Sequence, residues 1–238
     1  MSIFKKKLLI SMCSSFLLLF LCYAVYPRSA LTVSSTASFD YTLILDAGHG
    51  GEDGGALSRS GVRESDLNLS IAQRTENLAA LLGIKTVMTR DADISVHDKD
   101  CTSISEKKKS DLRNRVNLAN MTPNAMILSI HQNHFAEEKY KGAQVFYANI
   151  EGSKFWAETL QNHLRVLDSK NHRQCKQSQQ IYLMEHIQCP AVLVECGFLS
   201  NPVEAQLLQE QDYQKKLAMV LLQAVATKGK GVTEEHEV

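Results

Sequence analysis

Two histidines and a glutamate stand at predicted strand ends, where they could bind a metal ion and catalyse hydrolysis. His49, His131 and Glu195 each come shortly after, or directly after, a run of apolar residues. Strands of a parallel sheet are buried on both faces and therefore appear in the sequence as runs of apolar residues. Ligands of such sheets bind beyond the carboxyl ends of the strands. We therefore expect three strands to deliver these side chains to one edge of a sheet. This is the ligand chemistry of a zinc hydrolase.

The loop around His49 is rich in glycine. The segment DAGHGGEDGGA (residues 46–56) has five glycines, which free the backbone from extended geometry. A phosphate-binding loop is the weaker interpretation, because the Lys-Ser/Thr pair is missing and no helix follows directly. The stronger interpretation is that the glycines let the chain wrap around a metal ion held by His49. A loop histidine without a ligand is the alternative, and the partners at other strand ends favour the metal site.

Glu64 supplies a carboxylate fifteen residues after His49 and directly before Ser65, a predicted helix N-cap. A carboxylate at a helix N-terminus is stabilised by roughly 0.3–1 kcal/mol, which is a structural reason for its presence. The functional interpretation makes it a metal ligand. His49, Glu64 and His131 then form a two-histidine, one-carboxylate zinc site with an open fourth position for water.

Glu195 is the remaining carboxylate. A charge at the end of a buried strand is costly unless it is paired or functional. Beside a zinc site it would act as general base, taking a proton from the attacking water and giving it to the leaving amine. A fourth zinc ligand, or an anchor for the other ligands, is the alternative role. Asn133, His134 and Arg113 are further candidates for binding substrate, with solvent-exposed side chains as the alternative.

Composition predicts one folded domain outside the cytoplasm. The chain has 238 residues and 44% hydrophobic content, enough for one sizeable core. Its net charge of zero gives no general electrostatic case for nucleic-acid binding. Residues 1–26 have a basic start and an apolar stretch, which indicates a secretory signal or an uncleaved membrane anchor. We expect membrane contact through this segment alone, then a linker (27–39), a catalytic domain (40–228) and a polar tail (229–238).

Cysteine usage gives no metal site of its own. Beyond the N-terminal segment four cysteines remain: Cys101, Cys175, Cys189 and Cys196. No CxxC pair is present, which argues against a cysteine zinc site. The pairing of these cysteines in disulfides stays open.

Strand-like and helix-like patterns alternate along the chain, which predicts a three-layer α/β/α domain around a mostly parallel, twisted sheet of about six strands. Predicted strands are 41–45, 84–88, 125–130, 142–147, 180–183 and 191–194. Predicted helices run from Ser65 to about Gly83, over 110–120, around 155–167, from the Asn201 cap with Pro202 at its first position, and over 213–224. Residues 89–109 are predicted to be a polar connection.

Four ordered motifs resemble the zinc-dependent N-acetylmuramoyl-L-alanine amidases of the amidase-3 type. They are DAGHGG at 46–51, Glu64, SIHQN at 129–133 and ECGFLSN at 195–201, within a resemblance that covers about residues 41–226. The resemblance implies that His49, Glu64 and His131 bind zinc and that Glu195 is catalytic. The implied reaction is hydrolysis of the amide between N-acetylmuramic acid and L-alanine of the peptidoglycan stem peptide. Ala47, His134 and Cys196 depart from residues common in the family.

Within that family the chain is most similar to the sporulation and germination amidases of endospore formers. The features are the short N-terminal hydrophobic segment, the absence of wall-binding repeats, SDLRNRV at 110–116 and GAQVFY at 142–147. The similarity implies removal of stem peptides from cortex peptidoglycan so that muramic-δ-lactam can form. It also implies a location between the forespore membranes, an accessory protein and a deacetylase that acts next.

Other functions remain alternatives. A vegetative amidase of wall turnover or cell separation would carry the same motifs. A zinc peptidase acting within the stem peptide would share the metal ligands but release different products. A binding module without catalysis would have no need for Glu195, and a membrane-tethered structural protein would need none of the four site residues.

Overall fold

The computed structural model describes residues 39–231, with side chains through residue 226. Six strands and six helices form this part of the chain. The strands are β1 (Thr42–Ala47), β2 (Lys85–Met88), β3 (Ala125–Asn133), β4 (Gln144–Tyr147), β5 (Lys176–Gln177) and β6 (Ala191–Phe198); the helices are α1 (Glu64–Leu81), α2 (Ile104–Met121), α3 (Ser153–Leu164), α4 (Tyr182–His186), α5 (Pro202–Leu207) and α6 (Gln211–Gly231). The predicted leader, nearly all of the linker and residues 232–238 lie outside the described residues.

The strands form one sheet in the order β2-β1-β3-β6-β4-β5. The first four run parallel, β4 runs antiparallel to β6, and β5 runs parallel to β4. The carboxyl ends of β1, β3 and β6 therefore meet at the centre of one edge. The predicted mostly parallel sheet of about six strands is confirmed.

Helices cover both faces of the sheet, because alternate residues of each buried strand point to opposite sides. Leu43 and Leu45 of β1 belong to the core cluster that includes residues of α1, α3 and α6. Ile44, between them, belongs to the cluster with residues of α2 and α4. The three-layer α/β/α prediction is confirmed by these two cores.

The predicted Ser65 cap of α1 is wrong. The N-cap position is Arg63, which makes no side-chain cap hydrogen bond, and the helix begins at Glu64. The main-chain N–H groups of Glu64 and Ser65 donate instead to the carbonyls of Ala56 and Gly54, at 2.9 and 3.1 Å. The glycine loop folds back on the helix start and satisfies these donors, so no capping side chain is needed.

Helix α2 begins earlier than predicted, at Ile104 instead of Ser110. Ser103 and Glu106 form a capping box, in which the serine side chain accepts from the main-chain N–H of Glu106 and the glutamate accepts from that of Ser103. This Ser-x-x-Glu signal is local and present in the sequence. The predicted polar connection 89–109 therefore ends in the first turns of a helix.

The predicted strand 180–183 is also wrong. Gln180 has a φ of 65°, which breaks extended geometry, and the next residues form the short helix α4. The strand of this region is β5, a few residues earlier. Two helix ends also differ, since α3 ends at Leu164 instead of near residue 167 and α6 continues to Gly231. Asn201 caps α5 and Pro202 is its first residue, as predicted.

Among residues 39–231, no helix combines the length and apolar character that crossing a membrane requires.

Candidate metal centre and active site

Three side chains from separate elements converge at the carboxyl edge of the sheet. His49 follows β1, Glu64 is the first residue of α1, and His131 lies near the end of β3. One ligand atom from each lies within 4.8 Å of the others. His49 Nε2 is 3.3 Å from Glu64 Oε2, and His131 Nδ1 is 2.9 Å from Glu64 Oε1.

Glycines allow this close approach. A Cβ atom on Gly48 would lie 2.2 Å from His131 Nε2, and one on Gly55 would lie 2.5 Å from Glu64 Oε2. Atoms cannot approach so closely, so a side chain at either position would displace a donor. These two glycines, within the loop that the sequence singled out, leave the space that the three donors occupy.

Glu64 is buried and held by the protein. Its Oε2 accepts from the main-chain N–H of Ala56 at 2.9 Å, and its Oε1 accepts from that of Gln132 at 3.1 Å and from the Asn68 amide at 3.3 Å. Burial alone would raise its pKa, but the hydrogen bonds and charges of His131 and His49 lower the pKa far below its usual range. Glu64 is therefore an anion at physiological pH, as a metal ligand must be.

His49 is oriented by a second carboxylate. Its Nδ1 lies 3.0 Å from Asp53 Oδ2, which leaves Nε2 to face Glu64. Burial alone would lower the pKa of His49, but the hydrogen bonds and charges of Glu64 and Asp53 overcome burial and raise the pKa to about 9. Carboxylates that bind the second nitrogen of a ligating histidine commonly fix its ring orientation. Sequence reasoning did not single out Asp53.

Two buried arginines hold the main chain of the His49 loop. Arg115 of α2 donates to the carbonyls of Ala47 and His49, each at 2.8 Å, and to Asp46 Oδ1 at 2.7 Å. Arg90 donates to the carbonyls of Ala47 at 2.8 Å and Gly48 at 3.0 Å. His49 itself has a φ of 61°, an unusual conformation for a residue with a side chain. These hydrogen bonds fix the loop in that conformation.

The two arginines of α2 differ in burial and in their contacts with the site. Arg113 was a substrate-binding candidate, but its side chain is more than half exposed and pairs with Asp98 at 2.6 Å. Arg115, two residues on, is buried and contacts the site. The signal that could have found it is Asp111, four residues earlier, which pairs with Arg115 along the helix.

Glu195 lies beside the metal donors but is not one of the three that converge. It is the register partner of His131 across β3 and β6. Its Oε2 atom is buried and has no hydrogen-bond partner among the described residues. Burial raises the pKa of Glu195 to about 7. A carboxyl group poised near neutral pH at the edge of a cavity is suited to accept and return a proton.

A cavity of about 390 Å³ opens at this edge and is lined by His49, His131 and Glu195 together with residues of α2 and α4. Asn133 and His134, predicted to bind substrate, are not among its lining residues. The main-chain carbonyl of Asn133 accepts from the N–H of Leu199 at 2.8 Å, and His134 is exposed. The structure therefore brings together His49, Glu64, His131 and Glu195, and leaves Asn133, His134 and Arg113 outside the cavity.

The donor set is compatible with zinc. Zinc takes nitrogen from histidine and oxygen from carboxylate in tetrahedral geometry with bonds of about 2.0–2.1 Å, so two donors should lie about 3.3 Å apart. The separation of His49 Nε2 and Glu64 Oε2 is 3.3 Å. A mostly parallel sheet between helical layers, with this donor set at its carboxyl edge, is compatible with a metal-dependent hydrolase.

Comparison with known proteins specifies the family. The sequence profile of the amidase-3 family, described as N-acetylmuramoyl-L-alanine amidase, matches residues 43–227. The chain therefore belongs to the amidase-3 family. It is a cell-wall amidase of the class that cleaves the bond between N-acetylmuramic acid and L-alanine.

Individual relatives agree with this assignment. The germination-specific N-acetylmuramoyl-L-alanine amidase of Bacillus subtilis is 37% identical over 185 residues, which are 77% of this chain and 77% of that protein. The CwlD amidase from Clostridioides difficile, whose structure was determined in complex with the GerS lipoprotein, is 36% identical with a TM-score of 0.77, over 81% of this chain and 100% of that chain. An N-acetylmuramoyl-L-alanine amidase from Clostridium difficile 630 is 31% identical with a TM-score of 0.69, over 80% and 97% of the two chains.

Proposed function

We propose that this chain removes stem peptides from the peptidoglycan of the spore cortex, with zinc held by His49, Glu64 and His131 and with Glu195 as general base. The observation that supports the catalytic role most directly is the position of Glu195. Its unpartnered carboxyl oxygen lies at the cavity, beside the three converging donors. The cortex assignment is supported by the likeness to the germination-specific relative.

Each side chain has a defined task in this proposal. The three donors hold the ion, and Asp53 and Arg115 keep His49 in place. Zinc supplies Lewis-acid polarisation of the scissile carbonyl and makes water more acidic. Glu195 accepts a proton from the attacking water and then gives it to the nitrogen of the leaving L-alanine. Its raised pKa suits both transfers near neutral pH.

Peptidoglycan digestion tests the chemistry. Residues 28–238 would be incubated with zinc and purified peptidoglycan, beside a chelator control and a Glu195→Gln control. We expect free stem peptides that begin with L-alanine, absent from both controls, in mass spectrometry of the soluble products. Shortened stems still attached to muramic acid would instead identify a peptidase.

Complementation tests the cortex role. The chain would be expressed in a B. subtilis strain that lacks its germination-specific amidase, and spore muropeptides would be analysed. Recovery of muramic-δ-lactam with the unaltered chain, and none with the Glu195→Gln variant, is the expected result. Peptide release from vegetative wall without muramic-δ-lactam in spores would indicate wall turnover or cell separation instead.

The proposal places the enzyme outside the cytoplasm, where its substrate lies, with residues 1–26 as export signal or anchor. It also includes an accessory protein, because the C. difficile amidase was determined in complex with a lipoprotein. Peptide release by the purified chain, measured with and without the lipoprotein partner, gives the size of the partner's contribution. Equal turnover in both cases would contradict a role for the partner.

A further inference from the structure

Helix α2 presents one continuous face to the catalytic cavity. The cavity-lining residues of this helix recur at helical spacing and are Ile104, Lys107, Lys108, Asp111, Leu112 and Arg115. Arg115, at the inner end, contacts the carbonyl of His49. The helix thus forms one wall that runs from the metal centre to the surface.

Part of the cavity lining is apolar. Ile181 and Leu183, around the start of α4, line the cavity, and so does Leu193 of β6, which lies two residues before Glu195 on the same face of its strand. Ile104 remains 78% exposed at the outer end. An exposed isoleucine at the mouth of a catalytic cavity favours a ligand with aliphatic parts that extends outward from the metal centre.

The two lysines have more free hydrogen-bond donors than the other charged residues that α2 contributes to the cavity. Asp111 is held by Arg115, by Ser95 and by a main-chain N–H, and Arg115 is buried by its own contacts. Among the side chains that the structure describes, the only carboxylate paired with Lys107 is that of Glu52, at 2.7 Å, and the only one paired with Lys108 is that of Asp53, at 3.5 Å. The Lys108 pair is exposed, and in the Lys107 pair the carboxylate is 64% exposed, so both pairs are weak. Each ammonium has three N–H donors and can therefore donate to a further carboxylate without loss of a strong contact.

Lys108 lies close to the candidate metal centre. Asp53 Oδ2 lies 3.0 Å from His49 Nδ1 and 3.5 Å from Lys108 Nζ. The lysine ammonium is therefore no farther from the His49 ring than about two residues of an extended peptide, at about 3.3–3.6 Å per residue. A carboxylate bound there would lie within a few residues of the scissile amide.

From this geometry we propose that Lys107 and Lys108 bind a free carboxylate of the stem peptide, close to the scissile bond, while the apolar walls contact the aliphatic parts of the same peptide. This inference rests on the proposed amidase function. It assigns the peptide to the part of the cavity that α2 and the start of α4 line. It also makes the two lysines the determinant of preference for an anionic stem.

Two matched muropeptides test the assignment. They differ at the second stem residue alone, which has a free carboxylate in one and a carboxamide in the other. We expect the unaltered enzyme to prefer the carboxylate form in kcat/KM, mainly through KM. The variant K107Q/K108Q should reduce that preference by about tenfold or more, as loss of charge-assisted hydrogen bonds predicts. K109Q is the matched control, because Lys109 is exposed, adjacent on the same helix and absent from the cavity lining.

Zinc affinity, measured by chelator competition, shows whether a lysine variant has disturbed the His49 loop. A variant with unchanged zinc affinity reports on substrate recognition alone. If K107Q/K108Q also loses zinc, the charge-retaining variant K107R/K108R provides the decisive comparison, and recovery of the preference supports the assignment. An unchanged preference in K107Q/K108Q, or equal cleavage of both muropeptides by the unaltered enzyme, would overturn the lysine assignment while the amidase function stands. Cleavage of neither would overturn the amidase proposal and this inference with it.

Discussion

His131 and Glu195 lie opposite each other on the neighbouring parallel strands β3 and β6. His131 belongs to the group of three converging donors, and Glu195 has an unpartnered carboxyl oxygen at the same edge of the sheet. This pairing places a candidate base next to a candidate metal ligand through main-chain register. The relative position of the two residues along the main chain is therefore set by the pairing of the two strands.

The first prediction concerns catalysis by Glu195. Replacement by glutamine keeps the shape but cannot accept the proton, so we expect kcat to fall by about 10²–10⁴. Zinc content should stay at the level of the unaltered protein, because Glu195 is outside the group of donors. Peptide release and metal content by atomic absorption check the two parts. Retained activity in the glutamine variant would remove the general-base role.

The same substitution should change stability in a pH-dependent way. Burial raises the pKa of Glu195 from its ordinary 4.5 to about 7. As pH rises, the Glu195 carboxyl ionises in the unfolded chain before it ionises in the folded protein. The free energy of unfolding therefore falls between about pH 4.5 and 7, and it falls no further above about pH 7. Glu195→Gln should therefore stabilise the metal-free protein by on the order of 3 kcal/mol at pH 8 and by about 1 kcal/mol at pH 5. Urea unfolding in the presence of chelator measures both values. An equal gain in the free energy of unfolding at pH 5 and pH 8 would contradict the raised pKa of Glu195.

Metal affinity should depend on pH through His49. Its pKa is raised to about 9 in the metal-free protein, and a proton on the ring competes with the ion. Apparent zinc affinity should rise by about tenfold per pH unit until about pH 9. Asp53→Asn removes one of the charges that raises this pKa, so its affinity curve should level off at lower pH. Chelator competition between pH 6.5 and 9.5 measures both curves, and identical curves would contradict the role of Asp53.

Arg115 should matter for both folding and metal binding. Arg115→Met leaves Asp46 buried without its partner, which should cost about 3–5 kcal/mol of unfolding free energy. It also frees the carbonyl of His49, so zinc affinity should fall by about 10–100-fold. Arg113→Met is the matched control, since its exposed pair with Asp98 is worth less than about 1 kcal/mol. Equal effects of the two variants in urea unfolding and chelator competition would refute the distinction.

A methyl group at Gly48 should disturb His131 directly. The added Cβ would lie 2.2 Å from its Nε2, so Gly48→Ala should displace the ring and reduce zinc binding by at least about tenfold. Gly61→Ala is the comparison, because no atom lies within 4 Å of its Cβ although its φ of 82° makes it costly. That variant should lose some stability but keep zinc affinity. Undiminished zinc binding in Gly48→Ala would show that His131 is not a ligand.

Several parts of the fold were readable from local sequence, and some readable signals were missed. The runs that became β1, β3 and β6 predicted their positions to within a few residues at each end. The Ser103–Glu106 capping box was present in the sequence, yet α2 was placed six residues too late. Ser65, by contrast, could not have been excluded as a cap, because the loop carbonyls that replace a cap reach the helix start only after the loop has folded.

The residues of the candidate centre could be predicted from local sequence patterns. Residue type and position at a strand end identified His49, His131 and Glu195, since an apolar run followed by a polar residue is a local pattern that reports burial. Which arginine supports the site could be seen only in the folded chain. The same is true of Glu195, whose Oε2 has no hydrogen-bond partner among the described residues. Arg115 and His49 are 66 residues apart in sequence. Contacts over such distances depend on how helices pack on the sheet, and no local spacing encodes them.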